Sequence, residues 1–264
     1  MLRSLASRVV PTAAKRAIDR WRTRRFLAAI GPASEQYVSS FGLEVRHGPF
    51  AGMSYLPGLE RSTGDLVAKL LGTYEAELHD AISELIELAP AQLIDVGCAE
   101  GYYAVGFARA LPATEIQAFD SDPAVRAQCA ELAARNGVTG RVVISAECTP
   151  AELGNFAADP CALFCDCEGY EKILLDPVAA PVLRHWWILV ELHDFVDPTI
   201  SATIRTRFEP THTVEVISGT RRDPDAASEL AGVDRSTRVA LLSERRPALM
   251  EWALLRPRSS PAAG

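Results

Sequence analysis

The feature that most constrains the fold is an alternation of short apolar runs with helical segments, which begins near residue 90. Apolar runs occupy residues 93–96, 116–120, 141–146, 162–166 and 187–192. The last two are apolar nearly throughout, which is typical of strands covered on both faces. Strands that alternate with helices predict a parallel α/β sheet. Residues 213–218 and 252–255 can complete this Rossmann-like, doubly wound, mostly parallel sheet as later strands.

Turn and capping residues predict the helices between these strands. An apolar stripe predicts a helix over about residues 74–89, and Pro90 closes it. A second helix is predicted from residue 102 to 111. Asp122 and Pro123 supply a cap and a first-turn proline for a third helix, which Asn136-Gly137 ends.

The first 64 residues are predicted to form an N-terminal extension to a main domain that covers residues 65–264. Residues 1–30 hold eight basic residues against Asp19 alone, and Gly31-Pro32 predicts a break after them. Alternation around glycine and proline in residues 43–55 predicts a β-hairpin. Five apolar residues of the basic segment occur near the spacing of one helix face: Val10, Ala14, Ala17, Ile18 and Trp21.

The basic N-terminal segment has three interpretations. It could be an amphipathic helix that packs on the body or on a second subunit, which would make the chain a homo-oligomer. It could contact an anionic membrane surface. It could also be an arginine-rich transit peptide.

Composition indicates a soluble protein with a substantial core. Hydrophobic residues make up 48% of the 264 residues, and no apolar run approaches the length of a membrane span. The net charge is −7 despite the basic N-terminus, so the acidic body argues against nucleic-acid binding. Six cysteines lack the paired spacing of zinc sites. We expect reduced thiols and a cytoplasmic location.

A glycine turn follows the first apolar run. Gly97 and Gly101 lie after a predicted strand and before a predicted helix, where glycine lets the backbone bend tightly and approach a ligand. Asp120 ends the second predicted strand, where a carboxylate can accept hydrogen bonds from both hydroxyls of an adenosine ribose. Together these residues predict a cofactor that contains adenosine.

The spacing of the glycines separates two classes of cofactor. A dinucleotide site has G-x-G-x-x-G, with the pyrophosphate over the helix N-terminus. Here Glu100 would repel a phosphate. The turn is instead similar to the Asp-x-Gly-x-x-x-Gly motif of class I methyltransferases, whose ligand S-adenosylmethionine carries a sulfonium and an ammonium group. We therefore predict cofactor contacts from Asp120 and from six residues of the turn: Asp95, Gly97, Cys98, Ala99, Glu100 and Gly101.

Further segments extend the resemblance to the FkbM-like family of class I methyltransferases. They occur in the order of that family: Gly72-Thr-Tyr74-Glu75, residues 94–103, Ala118-Phe-Asp120 and Cys165-Asp166-Cys-Glu168-Gly169-Tyr-Glu171. The last keeps the family's Asp-x-Glu-Gly-x-Glu pattern. The resemblance covers about residues 70–195 and implies a class I fold with methyl transfer, commonly to hydroxyl groups of sugars or natural products. It places Glu75 near the methionine end of the cofactor and Glu147 near the adenine.

Polar residues at the ends of the fourth and fifth predicted strands are the catalytic candidates. Asp166 and Glu168 follow the fourth strand, and His193 and Asp194 follow the fifth. Open α/β sheets bind ligands at this edge, and neighbouring strands lie about 5 Å apart. His193 could be a general base, or Asp166, Asp194 and His193 could bind Mg²⁺, as acidic ligands do in catechol-type O-methyltransferases. The same acids could also only cap turns.

The favoured function is O-methylation of a small polar metabolite, sugar or natural product with S-adenosylmethionine as methyl donor. Two alternatives stay open on the sequence alone. One is methylation of nitrogen or a carboxylate on the same fold. The other is a protein that binds S-adenosylmethionine, or only keeps the fold, and serves in interactions.

Overall fold

Seven strands form one sheet in a computed structural model that describes residues 12–59, 64–156, 160–244 and 250–258, with side chains from Trp21 onward. The strand order is β3-β2-β1-β4-β5-β7-β6. Strands β1 to β5 pair in parallel, and β7 runs antiparallel between β5 and β6. Their bounds are β1 Gln92–Val96, β2 Glu115–Phe119, β3 Val142–Ser145, β4 Cys161–Cys165, β5 Trp187–Leu192, β6 His212–Ser218 and β7 Glu251–Pro257.

Helices cover the sheet on both sides. They are α1 Thr12–Phe41, α2 Leu66–Leu71, α3 His79–Leu88, α4 Tyr102–Ala110, α5 Pro123–Arg135, α6 Pro150–Leu153, α7 Glu171–Leu174, α8 Ile200–Phe208 and α9 Arg235–Leu241. Three 3₁₀ helices lie at Ala76–Leu78, Pro181–Arg184 and Ser228–Leu230. Two hydrophobic clusters, one on each face, form the core. The predicted doubly wound, mostly parallel fold is confirmed, as the resemblance to class I methyltransferases implied.

Local sequence explains the ends of α5. Asp122 lies in an extended conformation, and its side chain accepts a hydrogen bond from the backbone N–H of Ala124, with Pro123 at the first helical position. Gly137 follows the helix with a φ of 67°, which only glycine adopts without strain. The predicted helix over residues 74–89 is shorter, because a 3₁₀ turn precedes α3.

The N-terminal extension departs from one prediction and meets another in a shorter form. Helix α1 runs through Pro32 to Phe41, so the predicted break at Gly31-Pro32 is wrong. The buried Ile30 and Tyr37 lie two turns apart on one face of α1, and this packing sustains the helix past the proline. Residues 43–55 form a short hairpin, in which backbone hydrogen bonds join Leu43 and Val45 to Tyr55 and Met53 around a single antiparallel β-bridge between Glu44 and Ser54.

Two further expectations for the extension have different outcomes. Trp21 is 58% exposed, so it does not join a buried face, whereas the other four apolar residues of the predicted stripe lie outside the described side chains. The predicted boundary between residues 64 and 65 adjoins residues 60–63, which are outside the described chain, and stays a prediction. No described helix combines the length and the apolar character that crossing a membrane requires.

The strand order places the site. The chain leaves β1 toward β2 in one direction along the sheet and leaves the neighbouring β4 toward β5 in the opposite direction. This switch point opens a crevice beyond the ends of the strands, where ligands bind in open α/β sheets.

Candidate active site

The glycine turn after β1 is shaped by contact with β4. Gly97 has a φ of 90°, and a Cβ there would lie only 1.7 Å from the backbone oxygen of Asp166. Gly101, with a φ of 98°, caps α4 against Cys129. Ala99 between them also has a positive φ of 45°, which is uncommon for a residue with a side chain. The turn therefore brings the β1 end against the β4 end at the floor of the crevice.

Asp120 holds this turn from the second strand. Its Oδ2 accepts a hydrogen bond from the backbone N–H of Ala99 at 3.0 Å, and its Oδ1 accepts one from Asp122 at 2.8 Å. The carboxylate also lines a pocket of about 500 Å³ at the switch point. The pocket walls come from the ends of β1, β2, β3 and β4: Val96, Gly97, Ala99, Phe119, Asp120, Ser121, Ala146, Glu147, Cys148, Thr149, Asp166, Cys167, Glu168 and Tyr170.

The charge of this pocket has one sign. Four carboxylates line it, from Asp120, Glu147, Asp166 and Glu168, and no lysine or arginine of the described residues does. Phe119 and Tyr170 add aromatic surface between the acids. A pyrophosphate would meet only repulsion here, whereas a ligand with cationic groups and an apolar ring fits the lining.

Three predicted cofactor residues point away from the pocket. Asp95 lies within β1, is 1% exposed, and neither of its carboxyl oxygens has a hydrogen-bond partner in the described chain. Burial raises the pKa of Asp95 to about 8. Cys98 is buried in the core, and its backbone N–H donates to Phe119 O at 2.9 Å. Glu100 turns toward the N-terminal extension. Their predicted direct contact with the cofactor lacks support from this geometry.

Glu100 belongs to a buried charge cluster under the turn. Its Oε1 accepts short hydrogen bonds from the Lys69 ammonium on α2 and from the Tyr55 hydroxyl. Lys69 also pairs with Asp65 at 2.8 Å and lies 4.7 Å from the Tyr74 ring centre. Burial raises the pKa of Glu100, but Lys69 and these hydrogen bonds lower it below its usual value. Glu100 thus anchors the turn to the N-terminal half of the protein.

Glu75 lies behind the turn rather than in the pocket. It is 2% exposed, has a positive φ of 47°, and accepts a short hydrogen bond from the Tyr103 hydroxyl. The backbone N–H of Glu75 donates a 2.9 Å hydrogen bond to the side chain of Glu244. The predicted position near the methionine end of the cofactor stays a prediction.

His193 lies at the centre of the second group of polar residues. Its Nδ1 is 2.7 Å from Glu171 Oε1 on α7, and its Nε2 faces Glu191 Oε2 at 3.2 Å, Asp166 Oδ1 at 3.5 Å and Glu168 Oε2 at 3.6 Å. The imidazole is 2% exposed and Glu171 is fully buried. Hereafter these five residues are the His193 cluster. Through Asp166 and Glu168 the cluster borders the pocket.

Proton affinity in this cluster is strongly perturbed. Burial lowers the pKa of His193, but hydrogen bonds to Glu171 and Glu191 raise it to about 11. Burial and the neighbouring Glu191 carboxylate raise the pKa of Asp166 well above its usual value. Burial also raises the pKa of Glu171, yet its hydrogen bond to His193 brings it below the ordinary value. The ligand-free imidazole therefore holds a proton at neutral pH.

Asp194, one of the predicted metal ligands, is not among the ligand atoms that converge at His193 in the described residues. Its Oδ1 accepts a 2.9 Å hydrogen bond from the backbone N–H of Ser201 in the first turn of α8, so it caps that helix. Glu191, three residues earlier and on β5, lies in the cluster instead. Asp166, Glu191 and His193 each offer one ligand atom, and these atoms lie within 4.8 Å of one another.

Sequence reasoning missed Glu191, Glu171 and Lys69 as residues of the site. Glu191 interrupts the apolar run of β5, and a lone acid in a buried strand is a pattern that points to a site. Glu171 ends the Asp-x-Glu-Gly-x-Glu pattern, so the resemblance contained it. Lys69 shares no motif with Glu100, 31 residues later, and only the fold brings them together.

Comparisons with known proteins give distant neighbours. No protein-family model matches the chain, and no curated protein does. An rRNA methylase from Streptococcus thermophilus has a TM-score of 0.48 and 10% identity, over 69% of this chain and 97% of that one. The O-methyltransferase TomG from Streptomyces achromogenes, solved with S-adenosylmethionine, has a TM-score of 0.47 and 13% identity, over 86% of this chain and 89% of that one. A Bacillus cereus O-methyltransferase solved with S-adenosylhomocysteine (SAH) has a TM-score of 0.44 and 12% identity, over 86% of this chain and 91% of that one. These likenesses do not assign a family or an activity.

Proposed function

We propose that this protein is an S-adenosylmethionine-dependent methyltransferase that methylates a hydroxyl group of a small polar molecule, as FkbM-like enzymes do. The observation that carries the proposal is the acid-lined pocket at the switch point. S-adenosylmethionine supplies a methyl group on a sulfonium sulfur, and transfer to a hydroxyl releases S-adenosylhomocysteine and a proton. Its two cationic groups complement the carboxylates of Asp120, Glu147, Asp166 and Glu168, which would repel a phosphate-bearing cofactor.

The residues that would hold the cofactor follow from their places in the pocket. Asp120 ends β2, where a ribose would lie over the glycine turn. Glu147 follows β3 at the rim, where the resemblance puts the adenine. Gly97 permits the β1 end and the β4 end to meet below the ligand.

The His193 cluster would receive the acceptor hydroxyl. It borders the same pocket on the β4 side, so an acceptor there lies next to a methyl group held over the turn. Methyl transfer depends on holding both reactants in line, and a hydroxyl must also lose its proton. The carboxylates of Asp166 and Glu168 line the pocket and would be the groups that take that proton, and the imidazole of His193 would hold them in position.

A binding experiment separates this proposal from other functions. Titration calorimetry should show binding of S-adenosylmethionine and S-adenosylhomocysteine, and NAD should not bind. A screen of sugars and hydroxylated metabolites with radiolabelled S-adenosylmethionine should then find an acceptor. Failure to bind either cofactor form by the folded protein would reject the proposal. Cofactor binding with methylation only of amines or carboxylates would reject the hydroxyl acceptor.

A further inference from the structure

The His193 cluster has the geometry of a metal site. Ligand atoms about 2.1 Å from one ion, at octahedral or tetrahedral angles, lie about 3.0–3.4 Å apart. The Nε2 of His193 is 3.2 Å from Glu191 Oε2 and 3.5 Å from Asp166 Oδ1. These two distances are close to those values, and all three ligand atoms lie within 4.8 Å of one another.

The free oxygen of Asp166 is an independent observation. Its Oδ1 is a buried atom that accepts no hydrogen bond from the described residues, although buried oxygens are normally paired. The same atom is the one that faces Nε2 of His193. Because Asp166 also lines the pocket, an ion bound there would reach the ligand space.

Glu171 orients the histidine as metal sites require. A metal-binding imidazole commonly donates its second N–H to a carboxylate, which fixes the ring and makes the other nitrogen a better ligand. Glu171 Oε1 lies 2.7 Å from Nδ1 and also accepts a hydrogen bond from the backbone N–H of Gly169 at 3.1 Å. This leaves Nε2 directed at the two carboxylates.

Charge favours a cation at this point. Within the described residues, His193 is the ion-pair partner of Asp166, Glu168 and Glu171. Glu168 is 81% exposed, but Glu171 and Glu191 are both buried beside the one imidazolium, and a buried charge is costly unless it is paired. A divalent cation would balance it and would displace the proton from Nε2.

We propose that His193 Nε2, Asp166 and Glu191 bind a divalent first-row transition metal ion such as Mn²⁺, with Glu171 as the carboxylate that orients His193. The inference rests on the proposed methyltransferase function for its role. The imidazole ligand favours transition metals over Mg²⁺, which takes oxygen ligands almost exclusively. Three protein ligands leave open positions toward the pocket, where an ion makes a hydroxyl more acidic.

The test uses Mn²⁺ as the probe and the full chain without cofactor. Electron paramagnetic resonance measures free Mn²⁺, and we expect one bound ion per chain. Asp166→Asn and Glu191→Gln should abolish binding, and Glu171→Gln should weaken it about 10- to 100-fold. Asp194→Asn is the matched control, because asparagine also caps helices and should preserve binding within about twofold.

Three results would overturn the metal site. They are no binding of Mn²⁺ by the unmodified chain, loss of binding in Asp194→Asn with retention in Glu191→Gln, and displacement of Mn²⁺ by an equal concentration of Mg²⁺. If a variant does not fold, pulsed resonance of the unmodified chain decides, since a bound imidazole gives a nitrogen coupling and its absence rejects the ligand set. S-adenosylmethionine binding in EDTA is measured separately, so failure of the cofactor site and failure of the metal site are distinguishable.

Discussion

Two groups of acids flank the glycine turn, and their charges are balanced in different ways. Below the turn, the carboxylates of Glu100 and Asp65 share the Lys69 ammonium, and the Tyr55 hydroxyl completes the hydrogen bonds of Glu100. On the β4 side, four carboxylates surround the single imidazole of His193. The first group lies outside the pocket, whereas the second borders it.

This difference separates structural charge from functional charge. A lysine that remains charged beside its acids fixes a loop, and nothing further has to bind. An excess of acid beside a pocket leaves an unfavourable charge that a ligand can relieve. Strained and unbalanced groups persist where function requires them. We therefore expect mutations in the Lys69 group to change the free energy of unfolding, and mutations in the His193 cluster to change the methyl-transfer rate.

The largest expected effect is on turnover. His193→Gln keeps the size and polarity of the side chain but removes the imidazole from the acceptor side. We expect kcat for methyl transfer to fall about 10²–10⁴-fold, the usual range when acid–base catalysis is lost, because His193 positions the acids that act on the proton. The Kd for S-adenosylmethionine should change less than about threefold, because the cofactor contacts lie across the pocket. Steady-state kinetics and calorimetry on one preparation measure both. Equal losses in kcat and affinity would place His193 in the cofactor site instead.

The sequence predicted the strands and the turn that border the site better than it predicted the residues of the His193 cluster. Apolar runs and glycine spacing act over a few residues, so the five parallel strands, the turn and Asp120 follow from local pattern. The His193 cluster needs β4, β5 and α7 to meet, and no local pattern shows that Glu191 rather than Asp194 faces Asp166. Glu191 lies on β5 and faces the cluster, whereas Asp194, three residues later, lies beyond the end of β5 and accepts a hydrogen bond from the first turn of α8. Glu100 lies within the turn motif, so its position predicts a cofactor contact, and its partner Lys69, 31 residues away, gives no local sign of the ion pair.

The second expected effect is on stability. Lys69→Met removes the cation and leaves Glu100 buried beside Tyr55. Loss of one partner from a buried ion pair costs about 3–5 kcal/mol, so the free energy of unfolding in urea should fall by that amount. Lys172→Met is the matched control: Lys172 pairs with Asp197 at 2.7 Å, but both side chains are about a third exposed. That pair should contribute about 0–1 kcal/mol. Equal effects of the two substitutions would refute the structural role assigned to the Lys69 group.

The third expected effect is on cofactor affinity. Asp120→Asn retains the shape of the side chain but removes the charge that faces the pocket. We expect S-adenosylmethionine binding to weaken by about 1–3 kcal/mol, the usual loss for a charged hydrogen-bond partner, with little change in kcat at saturation. Calorimetry with S-adenosylhomocysteine should show a similar loss, because the ribose is common to both. Unchanged affinity in a folded variant would show that the ribose lies elsewhere.

The smallest expected effect is a pH dependence at Asp95, which shares β1 with the turn but belongs to neither acid group. Burial raises the pKa of Asp95 to about 8, above its usual value of 3.8, so between these values the folded state keeps a proton that the unfolded state has released. Stability should therefore fall as pH rises through this window, by about 1 kcal/mol per pH unit.

Asp95→Asn isolates this contribution, because asparagine has no proton to lose. Urea unfolding at pH 5, 6 and 7 should show a shallower decline than in the unmodified protein, and the variant should gain relative stability with each step. Asp234→Asn is the control: hydrogen bonds from Ser236 and Thr237 lower the pKa of the Asp234 carboxyl to about 2, outside the window, and asparagine can still cap α9. Parallel slopes for Asp95→Asn and the unmodified chain would mean that Asp95 is ionised in the fold. The turn would then carry a further buried negative charge, and the contrast between the balanced Lys69 group and the acid-rich His193 cluster would no longer hold.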